Sequence, residues 1–173
     1  MNLSSKQVKA LVIFLAAAII VVLNQTLLTP AYPVIMADMN IDATTAQWLT
    51  SGYAMTEAVI IPLSAFLMGR FGSRKLLIIG LSVFLAGTLV GAFAPNFPIL
   101  LGGRILQASS TGYVMTLMFT SVLLIFPAEK RGMGMGFISL VIGAAPAAGP
   151  SLSGVLVETV GWRVLFGIVA VIV

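Results

Sequence analysis

Long apolar stretches, separated by short gaps that hold most of the charge, organise this chain. The first runs from about Ala10 to about Ile35 and the second from about Ala46 to Met68. The third covers Leu76 to about Ala94, the fourth about Phe97 to Phe126, and the fifth about Gly132 to Val157. A sixth begins near Trp162 and stops at Val173. At 1.5 Å per residue the first five are each long enough to cross ~30 Å of hydrocarbon. The last reaches only about 18 Å. The pattern predicts an all-α, polytopic membrane bundle over residues 1–173. Its sixth helix is incomplete, and further helices are expected beyond Val173. The short gaps favour antiparallel neighbours.

The charges between the runs set an orientation. With the N-terminus on the cytoplasmic side, that side receives Lys6, Lys9, Arg70, Arg74, Lys75, Lys130 and Arg131, whereas the outer side receives Arg163 with Asp38, Asp42 and Glu158. Such a bias is the positive-inside pattern. It predicts a multi-pass protein of the plasma (inner) membrane with a cytoplasmic N-terminus. Trp48 and Trp162 fall near outer span ends, where indole rings favour the interface. The first apolar run is too long for a signal-peptide core and further spans follow it, so it reads as a membrane helix.

Composition narrows the chemistry. Hydrophobic residues make up 60% and charged residues 8% of the 173 positions, against about 25% charged in a soluble domain. The net charge of +4 does not gather on a soluble face, which excludes nucleic acid as a partner. Without histidine or cysteine, the commonest general base and the usual transition-metal ligands are missing. No metal, cofactor or enzymatic activity is expected, and intramembrane proteolysis is disfavoured.

Two ionisable residues lie inside spans: Glu57 in the second and Arg104 in the fourth. A charge at that depth is costly and marks a site facing the bundle interior or a water-filled cavity. The bland alternatives are an Arg104 side chain that snorkels to the interface and a neutral, hydrogen-bonded Glu57 carboxyl. Burial favours the protonated carboxyl, which a proton carrier also needs. Arg104, Gln107 and Thr111 share one helical face by their i, i+3, i+7 spacing. Asn24, Gln25, Thr26 and Thr29 form a polar belt in the first run, either an interhelical hydrogen-bond layer or a polar substrate path. Gly87 and Gly91 form a GxxxG pair with Gly80 on roughly the same face, and Gly132, Gly134 and Gly136 open the fifth run. Small residues of this kind allow close helix approach in lipid. The fifth run also carries Gly143–Gly154, with Pro146 and Pro150, a segment that is either a plain kink or a bendable seam.

Four of these segments, in order, resemble motifs of the major facilitator superfamily. Ala65–Lys75, with Arg70, Gly72, Arg74 and Lys75, is similar to the G-x-L-a-D-R-x-G-R-K signature between the second and third helices. Arg104–Ala108 resembles the R-x-x-Q-G motif, and Gly149–Gly154 resembles the G-P-x-x-G-G antiporter motif, through Gly149, Pro150 and Gly154. Glu158–Phe166 resembles the W-R-W-x-F opening of the sixth helix. The combination resembles the EmrB/QacA-like fourteen-helix drug/proton antiporters, over nearly the whole chain.

The resemblance implies the N-terminal half of the major facilitator fold, built from inverted three-helix repeats. It implies alternating-access export of small hydrophobic or cationic drug-like compounds in exchange for protons. Within it, Arg104 couples protonation to release, Arg70, Gly72, Arg74 and Lys75 belong to a cytoplasmic gate, and Gly149 and Pro150 belong to the antiporter seam. The partners are the lipid bilayer, the substrate, protons and the missing C-terminal helices. This sequence departs from the pattern at Asn24, where the exporters carry an acid, at Gly69 in place of the gate acid, and at Ala145 and Ser153 in place of glycines. Glu57 therefore becomes the expected proton carrier. A facilitator without proton coupling, or a truncated or non-transporting membrane protein, are the alternatives.

Overall fold

Asp42 closes a loop and starts a helix: its carboxylate accepts from the Thr45 amide at 2.8 Å. That contact is one of several end signals that fix the helices. The computed structural model describes residues 5–173, apart from the side chains of residues 5–7, 10, 141, 145–148, 151, 152 and 155. Among the described residues it is all helix and short turns, with no strand. The helices are α1 (Ser5–Leu27), α2 (Tyr32–Met39), α3 (Ala43–Phe71), α4 (Ser73–Ala92), α5 (Phe97–Ile125), α6 (Arg131–Val160) and α7 (Arg163–Ile172). Leu11–Met39, Ala43–Phe71, Ser73–Ala92 and Phe97–Ile125 are each long and apolar enough to cross a membrane. The 30 residues of α6 extend about 45 Å at the same rise. The side chains of Ala145, Pro146, Ser151 and Leu152 in its proline-rich segment, and that of Lys6, lie outside the described residues.

The first span is not one helix to Ile35. It breaks after Leu27 into a 3-10 turn over Thr29–Ala31 and then α2. Pro30 and Pro33 are the second residues of those two elements, within the first turn of each. Proline lacks the N–H that would continue the helix and suits a first turn. Other ends follow the same chemistry. Asn96 accepts from the Ile99 amide at 3.2 Å to start α5. Gly72 (φ +72) and Gly161 (φ +87) take backbone conformations that a side chain would strain, between α3 and α4 and before α7.

Hydrogen bonds from the Thr45 hydroxyl and then its amide hold the Asp42 carboxyl below its ordinary value of 3.8. A carboxyl whose pKa is lowered by folding adds stability above its unfolded pKa and loses it as the pH falls through the folded one. Asn caps about as well as Asp. Thermal unfolding in detergent is therefore expected to show the native chain losing ground to Asp42→Asn as the pH drops below about 3.8, with little difference near neutrality.

α5 is the centre of the bundle, packed on α4, α3, α1 and α6, while α7 packs on α4 and α1 on α6. The α4–α5 seam needs glycine. A Cβ on Gly87 would lie 2.7 Å from the Gly103 carbonyl oxygen, and one on Gly103 would lie 2.8 Å from that of Gly87. Gly91 faces the Phe166 ring of α7. The three glycines opening α6 do not act together: Gly134 abuts Val122 and Phe126, whereas a Cβ on Gly132 or Gly136 meets nothing within 4 Å.

Buried apolar side chains form two clusters. One holds Ala18, Val21, Phe84, Leu117, Val122 and their neighbours, and the other holds Leu28, Ile35, Leu49, Leu100, Trp162 and Phe166 among others. Along α1, α4 and α5 the buried polar residues Asn24, Thr88, Arg104 and Gln107 fall between the two. A polar layer thus crosses the middle of the bundle.

Candidate functional site

Arg104 is 1% exposed, which rules out the snorkelling alternative. Its Nη1 donates to Gln107 Oε1 at 3.0 Å and to the Asn24 carbonyl at 3.3 Å, and its Nη2 donates to the Gln25 carbonyl at 3.4 Å. The guanidinium carbon lies 4.3 Å from the centre of the Tyr53 ring, close enough for cation–π attraction. The carbonyls of α1 and the Tyr53 face of α3 thus solvate the cation in place of water. Among the described residues no carboxylate pairs with Arg104; the ion pair there joins Arg163 to Asp38. Two buried donors, Asn24 Nδ2 and Arg104 Nε, have no hydrogen-bond partner.

The network spreads from Arg104 across the bundle. Gln107 Nε2 donates to Thr88 Oγ1 at 2.8 Å, and Thr88 donates to the Phe84 carbonyl at 2.8 Å. The Tyr53 and Thr111 hydroxyls share a hydrogen bond of 2.5 Å, and Thr111 also donates to the Gln107 carbonyl. Gln25 Nε2 donates to Glu57 Oε2 at 3.3 Å. Glu57 is partly buried and sits four residues after Tyr53, hence on the same face of α3. Four spans, the first to the fourth, therefore meet around one buried cation and one carboxyl. Hydrogen bonds linked in a buried layer of this kind strengthen one another and are costly when broken, although Asn24 Nδ2 and Arg104 Nε stay outside it.

Not every residue singled out from sequence joins this layer. Thr26 bonds the Leu23 carbonyl and touches the space a Cβ on Gly149 would fill, so it marks the α1–α6 contact. Thr29 is exposed in the 3-10 turn and lines a separate crevice of about 470 Å3 with Tyr32, Gln47 and Thr50, where the Tyr32 and Thr50 hydroxyls bond each other. Arg70, Arg74 and Lys75 are exposed around the α3–α4 turn with Gly72; Lys75 Nζ lies 5.4 Å from the Phe71 ring centre. Pro150 is exposed, and nothing lies within 4 Å of a Cβ on Gly154. Trp162 is not turned to an interface. It is 2% exposed and donates to Asp38 Oδ2 at 3.1 Å, beside the Arg163–Asp38 contact of 2.8 Å.

Tyr53 and Thr88 are the residues that sequence reasoning missed. Tyr53 reads as one more apolar position until its spacing to Glu57 is considered. Thr88 lies inside the glycine-rich face of the third run, between Gly87 and Gly91.

The family model for the Major Facilitator Superfamily matches residues 14–173. The chain belongs to the Major Facilitator Superfamily. It is 56% identical over 157 residues to an uncharacterized MFS-type transporter, YcnB, of Bacillus subtilis, a match covering 91% of this chain and 33% of that protein. It is 40% identical to the lincomycin resistance protein LmrB of Bacillus subtilis, over 95% of this chain and 35% of LmrB. It is 29% identical to the multidrug export protein EmrB of Haemophilus influenzae, over 84% of this chain and 28% of EmrB. The chain thus spans about a third of the length of the relatives it matches. The superfamily match covers all the residues of the polar layer, from Asn24 to Thr111.

Proposed function

We propose that this chain is the N-terminal part of a membrane exporter of small hydrophobic or cationic drug-like compounds. Export is driven by protons moving the other way, through alternating access of two bundles, the second supplied by helices beyond Val173. The observation that carries the reading is the mid-bundle placement of a buried, acid-free Arg104 one hydrogen-bond layer from Glu57. An intramembrane charge with that environment is a functional site by default. The names of LmrB and EmrB, a resistance and an export protein, support the substrate class.

In this reading Glu57 carries the proton. When it is ionised, its negative charge and the Arg104 cation attract each other across Tyr53 and Gln25; when it is protonated, that attraction is lost and the layer can rearrange. Asn24, Gln25, Gln107 and Thr111 form the polar path, with Thr26 at the seam against Gly149. Arg70, Gly72, Arg74 and Lys75 form the cytoplasmic gate, and Gly149, Pro150 and Gly154 the antiporter seam. The N-terminus is cytoplasmic in the cell membrane, as the distribution of Lys and Arg favours.

The test is dye export from cells expressing the full-length protein. A lipophilic cationic dye is expected to leave cells against its gradient, and a protonophore is expected to stop it. Arg104→Gln should lower export about thirtyfold or more, since losing one hydrogen-bonded buried charge commonly costs about 2–5 kcal/mol. A second reading rests on Asn24, which cannot titrate: a facilitator without proton coupling. Dye that merely equilibrates, at one rate with or without protonophore, would favour that reading.

A further inference from the structure

Lys9, near the start of α1, and Arg74, at the start of α4, rim an apolar crevice of about 590 Å3 walled by Ile13, Phe14, Leu77 and Ile78. On the other flank of α4 a second crevice, of about 710 Å3, is lined by Phe71, Ile78 and Ile79 together with Arg74 and Lys75. Arg74 and Ile78 line both, so α4 is a ridge with an apolar trough on each side and a guanidinium near its end. The walls are open: Ile13 is 55% and Ile78 57% exposed. No acid lines either crevice, and among the described residues neither Lys9 nor Arg74 has an ion-pair partner.

Water suits neither trough, and an apolar partner alone would leave the cations without a counter-charge. We infer that this corner seats one diacyl anionic phospholipid astride α4. Its phosphate lies between Lys9 and Arg74, and one acyl chain lies in each crevice. Basic crevices between spans are where anionic headgroups settle. The aliphatic stems of Lys and Arg lie along apolar walls while their charges reach the headgroup level. The shared ridge specifies a two-chain ligand, because a single chain fills one trough only. The charge pattern specifies net negative charge, because a choline headgroup brings its own cation to the two basic side chains. The site is independent of the polar layer around Arg104.

The experiment is native mass spectrometry of the full-length protein in detergent, titrated with phosphatidylglycerol or with phosphatidylcholine of the same chains. The protein is expected to bind phosphatidylglycerol more tightly. Lys9→Ala with Arg74→Ala should weaken phosphatidylglycerol about thirty-fold, at about fivefold per basic residue near an anionic headgroup, and leave phosphatidylcholine unchanged. The charge-retaining pair Lys9→Arg with Arg74→Lys should keep the preference, which separates loss of the site from loss of folding. Lys130→Ala with Arg131→Ala should also keep it. Equal binding of the two lipids by the native protein, or full phosphatidylglycerol affinity in the Lys9/Arg74 alanine pair, would overturn the inference. An equal loss in the Lys130/Arg131 pair would do the same by assigning the effect to diffuse charge. Displacement of the lipid by millimolar inorganic phosphate would show a phosphate site that ignores the troughs, and would also overturn it.

Discussion

Glu57→Gln is expected to abolish proton-driven export while leaving the protein folded and able to exchange substrate down its gradient. The substitution keeps the shape of the side chain and an oxygen that accepts from Gln25 Nε2, now 3.3 Å from Glu57 Oε2. What it removes is the titratable group. A loss of about a hundredfold or more in gradient-driven rate is the scale at which removing a positioned proton-transfer group is felt. Thermal stability should barely move, because no buried donor is orphaned by the change. Asn24→Asp supplies a second arm. Asn24 Nδ2 is buried without a partner, and the Asn24 backbone carbonyl already accepts from Arg104 at 3.3 Å. A carboxylate on the Asn24 side chain would add a buried acid in the same layer as the guanidinium, so Asn24→Asp should partly restore proton-driven export in the Glu57→Gln background. Full export by Glu57→Gln alone would remove Glu57 from the coupling path.

Gly87→Ala is expected to be the most damaging single-methyl change in the α4–α5 seam. The added Cβ would lie 2.7 Å from the Gly103 carbonyl oxygen, 2.8 Å from the Gln107 nitrogen and 2.9 Å from Leu106 Cβ. Two of those atoms are backbone and cannot swing away. The helices must separate, and Thr88 and Gln107, bonded at 2.8 Å beside this contact, separate with them. Overpacking of this kind costs about 1–3 kcal/mol, and the backbone partners put it at the upper end. Gly80→Ala is the internal control. Its Cβ would meet Ser110 Oγ at 3.6 Å and Val114 at 3.8 Å, which is ordinary contact. Unfolding in detergent should therefore show a large drop in midpoint for Gly87→Ala and little for Gly80→Ala. Equal effects would mean that the seam tolerates spreading.

The two changes draw on different parts of what the sequence discloses. Span positions were legible because membrane helices write themselves as uncharged runs, and the caps at Asp42 and Asn96 and the glycine turns at Gly72 and Gly161 sharpen their ends. The break after Leu27 was written in Pro30 and Pro33, but a hydropathy run reads through prolines that are themselves flanked by apolar residues. In the polar layer, the shared face of Arg104, Gln107 and Thr111 was legible from helical spacing. Which partner each would find was not, because that depends on how α1, α3 and α4 are placed around α5. Tyr53 is the clearest case: its spacing to Glu57 puts the two on one face of α3, but only the packing sets its ring 4.3 Å from the guanidinium of Arg104. Thr29 failed in the other direction. One residue type and a short sequence distance joined it to Asn24 and Gln25, while the 3-10 turn carries it into a different crevice. Trp162 likewise shows an interface preference overridden by a specific acceptor, Asp38, on α2.

The most direct measurement of the coupling itself is substrate-evoked proton movement in proteoliposomes holding the full-length protein and a luminal pH dye. Adding a transported cationic compound on one side should change the luminal pH in step with its uptake, and the change should vanish in Glu57→Gln. Uptake of the compound by the native protein with no movement of protons would contradict the account and leave a facilitator in its place.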